Sequence, residues 1–197
     1  MSTYASTRPA PYPSRAAHAH RNFIVQQGFA EPAAATCERQ YSSLLFQPRL
    51  IAFTLVAAAT LEAPFVFFAF GVVLWWSALL PRLNPFDALY NWALAPSSGV
   101  TLSMAPAPRR FSQFLGGSLA LAIEASRTAG LRTTGLVLEV VLLAGVGAVV
   151  FVGFCTGSWV FHVLRGRVDL AMRTVPWATV DRIPVAPPYH RHDIPAR

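Results

Sequence analysis

The 197-residue chain has no lysine; all 16 of its basic side chains are arginine. Charged residues are only 13% of the chain, about half the share found in an ordinary soluble domain. So little charge cannot clothe a typical soluble fold, and the middle of the chain is too hydrophobic to be disordered. The nine acidic residues leave a formal charge of +7. There is no lysine-rich face for nucleic acid, and the arginines sit in the terminal segments and beside apolar runs, as membrane flanks do. Two cysteines, Cys37 and Cys155, are too few for a disulfide scaffold or a four-cysteine zinc site. The first 43 residues lack the apolar core of a secretory signal, Asn22 to Val25 being too short. There is no internal repeat, no Ser-His-Asp grouping, no phosphate-cradling glycine loop and no H-E-x-x-H.

What the chain does have is hydrophobic length, with 54% of its residues apolar. Residues 44–80 form one apolar run broken only at Glu62-Ala63-Pro64. A spanning helix needs about 20 residues, and proline ends a helix by removing a hydrogen bond. The run therefore predicts a hairpin of two short spans, residues 44–61 and 64–80, with Trp75 and Trp76 at an aromatic belt. Asn84 before Pro85 is a helix start, and Phe86, Leu89, Tyr90 and Leu94 recur at helical spacing. That pattern predicts a short amphipathic helix, at the membrane interface or packed on the bundle. A third span is expected over residues 111–129 and a fourth over 133–164. The fourth would be about 48 Å long if wholly helical, against a hydrocarbon core of about 30 Å. It must tilt, protrude or break, and Gly153 and Gly157 mark the place. These two glycines also form a small-x-x-x-small pair that permits close helix packing.

The fold class expected is thus all-α: a polytopic membrane domain over residues 44–164, with four short spans and an interfacial helix. Tails rich in proline, residues 1–43 and 165–197, flank it and are expected to be extended, without a core of their own. Four spans put both tails and the middle loop on one side. That side carries Arg39, Arg49, Arg82, Arg109, Arg110, Arg165, Arg167 and Arg173, while the other carries Arg127 and Arg132. The bias places both termini in the cytoplasm.

Few residues are candidates for chemistry. Glu62, Glu124 and Glu139 lie in or beside the spans, where an acid is expensive. Glu62 falls in the turn, Glu124 can pair with Arg127 one helical turn on, and Glu139 is the strongest candidate for a transport role. His162 could ligate haem or a chlorophyll magnesium, or simply anchor the helix end. His18 with His20, and His190 with His192, lack further metal donors at a recognisable spacing. Cys155-Thr-Gly-Ser158 resembles a dithiol motif whose second position is serine, so it cannot close a local disulfide. A buried apolar cysteine is the plainer reading of Cys155. No cofactor is predicted, although a bound lipid or pigment is compatible with the spans.

The order of features resembles a bacterial integral-membrane family known as domain of unknown function 4395. The resemblance rests on Arg49 leading the first span, Asn84-Pro-Phe-Asp-Ala-Leu-Tyr-Asn91, Pro106 to Gln113 with Arg109-Arg110-Phe111, and Gly153-Phe-Cys-Thr-Gly-Ser-Trp159. It covers roughly residues 41–166 and implies a four-span bundle without established activity. Some members carry a second cysteine where this chain has Ser158. The leading expectation is a non-enzymatic structural subunit of a larger respiratory or photosynthetic complex of the bacterial inner membrane. Its partners would be lipid and other membrane subunits, with no nucleic acid. In this reading the tails wrap neighbouring subunits through Tyr4, Tyr12, Phe23, Phe29, Trp177 and Tyr189. The alternatives are a membrane thiol-redox or sulfur-handling protein acting through Cys155, and a small transporter using Glu139.

Overall fold

The computed structural model describes residues 12–61 and 63–179. Among these residues every regular element is helical and there is no strand. Helices α1 (Arg15–Gln26), α2 (Ala34–Leu44), α3 (Phe46–Thr60) and α4 (Pro64–Leu79) form the first half. A 3-10 turn at Pro81–Leu83, α5 (Pro85–Ala93) and the four-residue α6 (Ala95–Ser98) lead to α7 (Ala107–Thr128). Then come α8 (Arg132–Gly147), a π turn at Ala148–Val152, α9 (Thr156–Leu164) and α10 (Val168–Arg173).

Helix α7 is central, packed by α4, α8 and α9. Its contact with α4 is close because two glycines face each other. A Cβ added at Gly117 would lie 2.5 Å from Trp75 Cδ1 and 2.9 Å from the Gly71 carbonyl oxygen. Between the helices Leu55, Phe67, Ala120 and Ile123 are almost wholly buried, joined by Phe86 of α5 and Leu142 of α8.

Among the described residues two helical stretches are long and apolar enough to cross a membrane. They are Ala34–Thr60, in which α2 and α3 run on through the helical Leu45, and Arg132–Val152. Phe65–Leu79 is apolar but shorter. Helix α7 does not share this hydropathy; enclosed by α4, α8 and α9, it has less surface to present to lipid. Meanwhile Phe53, Phe65, Leu79, Leu136 and Phe151 are each at least 61% exposed. Apolar side chains turned outward on such helices point to a membrane protein.

The long apolar run after residue 132 does break near Gly153. This glycine is left-handed at φ +67°, a conformation that suits glycine. Its N–H donates to Val149 O at 3.2 Å and the Phe154 N–H to Ala148 O at 3.1 Å, closing the helix end. The expected Gly153–Gly157 packing pair does not form, because the break puts the two in different elements. Gly157 instead opens α9 against α7, where an added Cβ would sit 2.9 Å from Ser112 Cα.

The N-terminal segment departs most from expectation. Residues 15–44 are not an extended tail: they form α1 and α2, and Phe23 and Ile24 are wholly buried beside Cys37, Leu44, Leu45 and Cys155. The prolines are confined to the edges, Pro13 and Pro32, so the stretch between them is free to coil. Ser14 caps α1 by accepting from the Ala17 N–H at 3.1 Å. Tyr12 and Phe29 also pack against this cluster, the Tyr12 hydroxyl donating to Pro32 O. Phe23 is thus a core residue rather than a partner anchor. The far end of the described chain joins the same body, since Asn22 Nδ2 donates to Val175 O at 3.0 Å and to Ala178 O at 2.8 Å. Trp177 remains 74% exposed, touching Phe154. Tyr4, Glu62, Tyr189, His190 and His192 lie outside the described residues.

Candidate functional site

The first turns of α3, α5 and α7 meet at a buried polar knot. Asn84 starts it: Oδ1 accepts the Phe86 N–H at 3.0 Å, while Nδ2 donates to Asp87 Oδ2 at 2.8 Å. The other Asp87 oxygen accepts from Arg109 Nη2 at 2.9 Å. The same nitrogen donates to Gln47 Oε1 at 2.8 Å, and Gln113 Nε2 donates to that oxygen at 3.0 Å. Burial pushes the Asp87 carboxyl above its ordinary pKa, and the Arg109 guanidinium opposes the shift.

Arg109 fixes how the amides point. A guanidinium can only donate, so Gln47 must turn its oxygen towards it. Gln113 must then turn its NH₂ towards Gln47, which leaves Gln113 Oε1 as a bare acceptor. Among the described residues Gln113 Oε1 and Arg109 Nη1 are both buried with no hydrogen-bond partner. Orphans of this kind are rare enough to need a reason.

Both residues line a cavity of about 420 Å³. Gln47, Ser112 and Cys155 belong to the same polar end, and Ile51, Leu74, Leu119, Leu142 and Val146 form apolar walls. The polar groups lie at the starts of α3 and α7, and the walls extend along α7 and α8.

Cys155 sits where the chain resumes after the π turn. Its N–H donates to Gln26 Oε1 at 2.8 Å and its Sγ to Ser112 Oγ at 3.3 Å. Ser158 Oγ is 2.9 Å from the same Ser112 hydroxyl. Both positions of the dithiol-like motif therefore converge on Ser112, and both Cys155 and Cys37 are free thiols. His162 is buried in α9; a carbonyl can only accept, so its Nε2–H donates to Gln26 O at 2.9 Å. One ring nitrogen is thus engaged within the fold, and Nδ1 is buried without a partner.

Arg127 does not pair as the sequence suggested. Arg127 reaches across to Glu139 of α8 rather than to Glu124 on its own helix. Spacing along one helix cannot register a neighbour, and here α8 brings a carboxylate against α7. Arg127 also stacks over Phe67 at 4.9 Å. His20 lies 3.9 Å from the Tyr41 ring in a stack and His18 tilts against Tyr12, so aromatic packing occupies both. Among the described residues no three metal donors cluster.

The sequence profile of the family described as domain of unknown function 4395 matches residues 43–165. The chain belongs to this family. The matched stretch contains the Arg109 knot and nearly all of the cavity wall, whereas α1, α10 and most of α2 lie outside it. No curated protein and no solved structure matches the chain.

Sequence alone does not reveal the knot, although Asn84, Asp87 and Arg109 stand in the very stretches that carry the family likeness. The usable signal was a carboxylate three residues after the cap of an otherwise apolar helix, with an unmatched Arg109-Arg110 pair downstream.

Proposed function

We propose that this protein is a non-enzymatic subunit of a larger assembly in the bacterial inner membrane, respiratory or photosynthetic in kind. It spans the membrane four times, through α3, α4, α7 and the α8–α9 run, with both termini in the cytoplasm. The observation that carries this reading is where the charges are. The buried charges tie helices to one another, Arg109 to Asp87 and Glu139 to the half-buried Arg127, while large apolar side chains of α3, α4 and α8 face outward. That is the inverse of a soluble protein's arrangement and suits a scaffold in lipid. The eight-to-two arginine count supports the orientation. Arg39 and Arg49 also line a cleft with Ser43 and Tyr90 at the start of α3, where cytoplasmic headgroups would sit.

Partner contact passes to what is left uncovered. Trp92 is 80% exposed on α5 and Trp177 is 74% exposed beyond α10, and exposed tryptophans are strong interface anchors. A thiol-redox role is the second reading, favoured by one observation: Cys155, although packed in the buried cluster with Phe23 and Ile24, also lines the cavity.

The test is gentle detergent purification of a tagged chain, with cysteines introduced at residue 131 and in both terminal segments. The expected result is a stoichiometric set of co-purifying membrane subunits. The terminal sites should label only from the cytoplasmic side, and residue 131 from the opposite side. A solitary monomer, or terminal sites labelled from outside, overturns the proposal.

A further inference from the structure

We propose that the cavity between α3, α7 and α8 holds one neutral amphiphile, its hydroxylated head seated between Arg109 and Gln113 and its apolar tail against α8. This goes beyond the subunit reading and rests on the protein being membrane-embedded.

The head group is read from the orphaned atoms. Arg109 Nη1 needs an acceptor and Gln113 Oε1 needs a donor, and a hydroxylated head can offer both. Arg109 is 4% exposed and Gln113 is 6% exposed, so bulk water is a poor substitute. The net charge of the ligand follows from Asp87. Its carboxylate already matches the guanidinium at 2.9 Å, and a further charge buried here would stand uncompensated. A neutral head is therefore favoured over a carboxylate or a phosphate.

The tail is read from the walls. From Gln113 to Leu119 the cavity follows α7 for about 9 Å at 1.5 Å per residue, and the wall across from it is apolar: Leu142, Val146 and Val149 of α8 and its π turn. Gly145 lies on this wall, and a Cβ added there meets no atom within 4 Å. The contrast with Gly117 is informative. There the missing Cβ lets two helices touch, whereas at Gly145 it leaves open space. The cavity volume of about 420 Å³ falls within the range of small-molecule sites. Polar end and apolar walls together describe an amphiphile that enters from one leaflet with its head at the cytoplasmic side.

Two sources share this chemistry, a glyceride and a long-chain hydroquinone, and the test separates them. The full chain, carrying Cys37→Ser so that Cys155 is its one thiol, is purified in detergent with its partners. It is then titrated with monooleoylglycerol, decyl-hydroquinone, oleate at alkaline pH, or hexadecane. Native mass spectrometry reads stoichiometry, and the rate of Cys155 alkylation by N-ethylmaleimide reads occupancy. One equivalent of a neutral hydroxylated probe should bind and slow alkylation at least fivefold, and whichever of the two protects at lower concentration names the source. Gln113→Met should weaken binding about tenfold, the worth of one buried hydrogen bond. Gly145→Leu, whose Cβ meets no atom within 4 Å, should abolish binding without lowering the unfolding temperature. If Gln113→Met does not fold, Gly145→Leu alone decides. Oleate or hexadecane binding as well as the hydroxylated probes, an unchanged affinity in Gly145→Leu, or no probe bound at all overturns the inference. If partners co-purify while no probe binds, the inference fails and the subunit reading stands.

Discussion

Asp87→Ala strands a buried guanidinium. The Arg109 side chain is 5% exposed and that of Asp87 is 9% exposed, with 2.9 Å between the charged atoms. Once the carboxylate is gone, the Gln47 amide oxygen at 2.8 Å is the remaining acceptor for Arg109 in the knot, and it carries no charge. Breaking one side of a buried pair costs about 3–5 kcal/mol, roughly two to four orders of magnitude in the folded-to-unfolded ratio. Asp87→Asn keeps an acceptor beside Arg109 but loses the charge, so it should fall between the variant and the native protein. The decisive comparison is Asp87→Leu with Arg109→Met. Replacing both partners by apolar groups of similar size removes the stranded charge and should recover most of the loss. Unfolding followed by tryptophan fluorescence in a fixed detergent, arranged as a double-mutant cycle, measures the coupling. If the double variant is as unstable as the sum of the singles, the two residues do not act as a pair. If Asp87→Ala stays within about 0.5 kcal/mol of native, the range of an ordinary surface change, the knot is not a structural tie.

Glycine positions give two sharper contrasts. Gly117→Ala places a methyl 2.5 Å from Trp75 Cδ1 and 2.9 Å from the Gly71 carbonyl, so it should cost about 1–3 kcal/mol by overpacking. Gly116→Ala, which meets only Leu74 at 3.7 Å, should be neutral or slightly stabilising in the same unfolding assay. Gly153→Ala forces a Cβ into a left-handed residue 3.0 Å from the Tyr41 hydroxyl and should lose about 1–2 kcal/mol. Stability should also depend on pH through His20, whose pKa is lowered by burial against the weaker pull of Glu38. Its contribution is complete above the ordinary imidazole pKa of about 6.5. It falls as the unfolded chain takes up its proton first, and levels off below the folded-state pKa. Melting temperatures measured from pH 8 to pH 5 should therefore fall less in His20→Phe, which keeps a ring beside Tyr41, than in the native protein.

The sequence was legible where a rule acts within a few residues. The Glu62-Ala63-Pro64 interruption separates α3 from α4, Asn84 caps α5, and the run after residue 132 breaks at Gly153. Each depends on a local backbone preference. What could not be read was partnership between distant segments. Arg21, Asn22 and Gln26 look like the polar face of a solvated tail, yet all three are wholly buried. Their partners include Val175 O, Ala178 O and the Cys155 N–H, more than a hundred residues away. Periodicity carries no trace of such contacts. The same blindness assigned Arg127 to Glu124, because α8 and its Glu139 enter only once the helices are assembled.

These long contacts also bear on what the family-matched region needs from the rest of the chain. A π turn followed by a left-handed glycine leaves the Cys155 N–H outside any helical ladder, and an unpaired buried N–H is costly. Its acceptor is Gln26 Oε1, from α1, and the backbone oxygen of the same residue takes the His162 N–H of α9. Gln26 thus clamps both the irregular segment and the helix after it. The matched region begins at residue 43, so the residue that satisfies its most irregular backbone lies outside it. Cys155 is also a wall of the cavity whose polar end is set by Arg109 and Gln113. Helix α1 therefore does more than flank a membrane bundle: it fixes the backbone at one edge of the cavity, while the Asn84–Asp87–Arg109 chain fixes the side chains at its polar end.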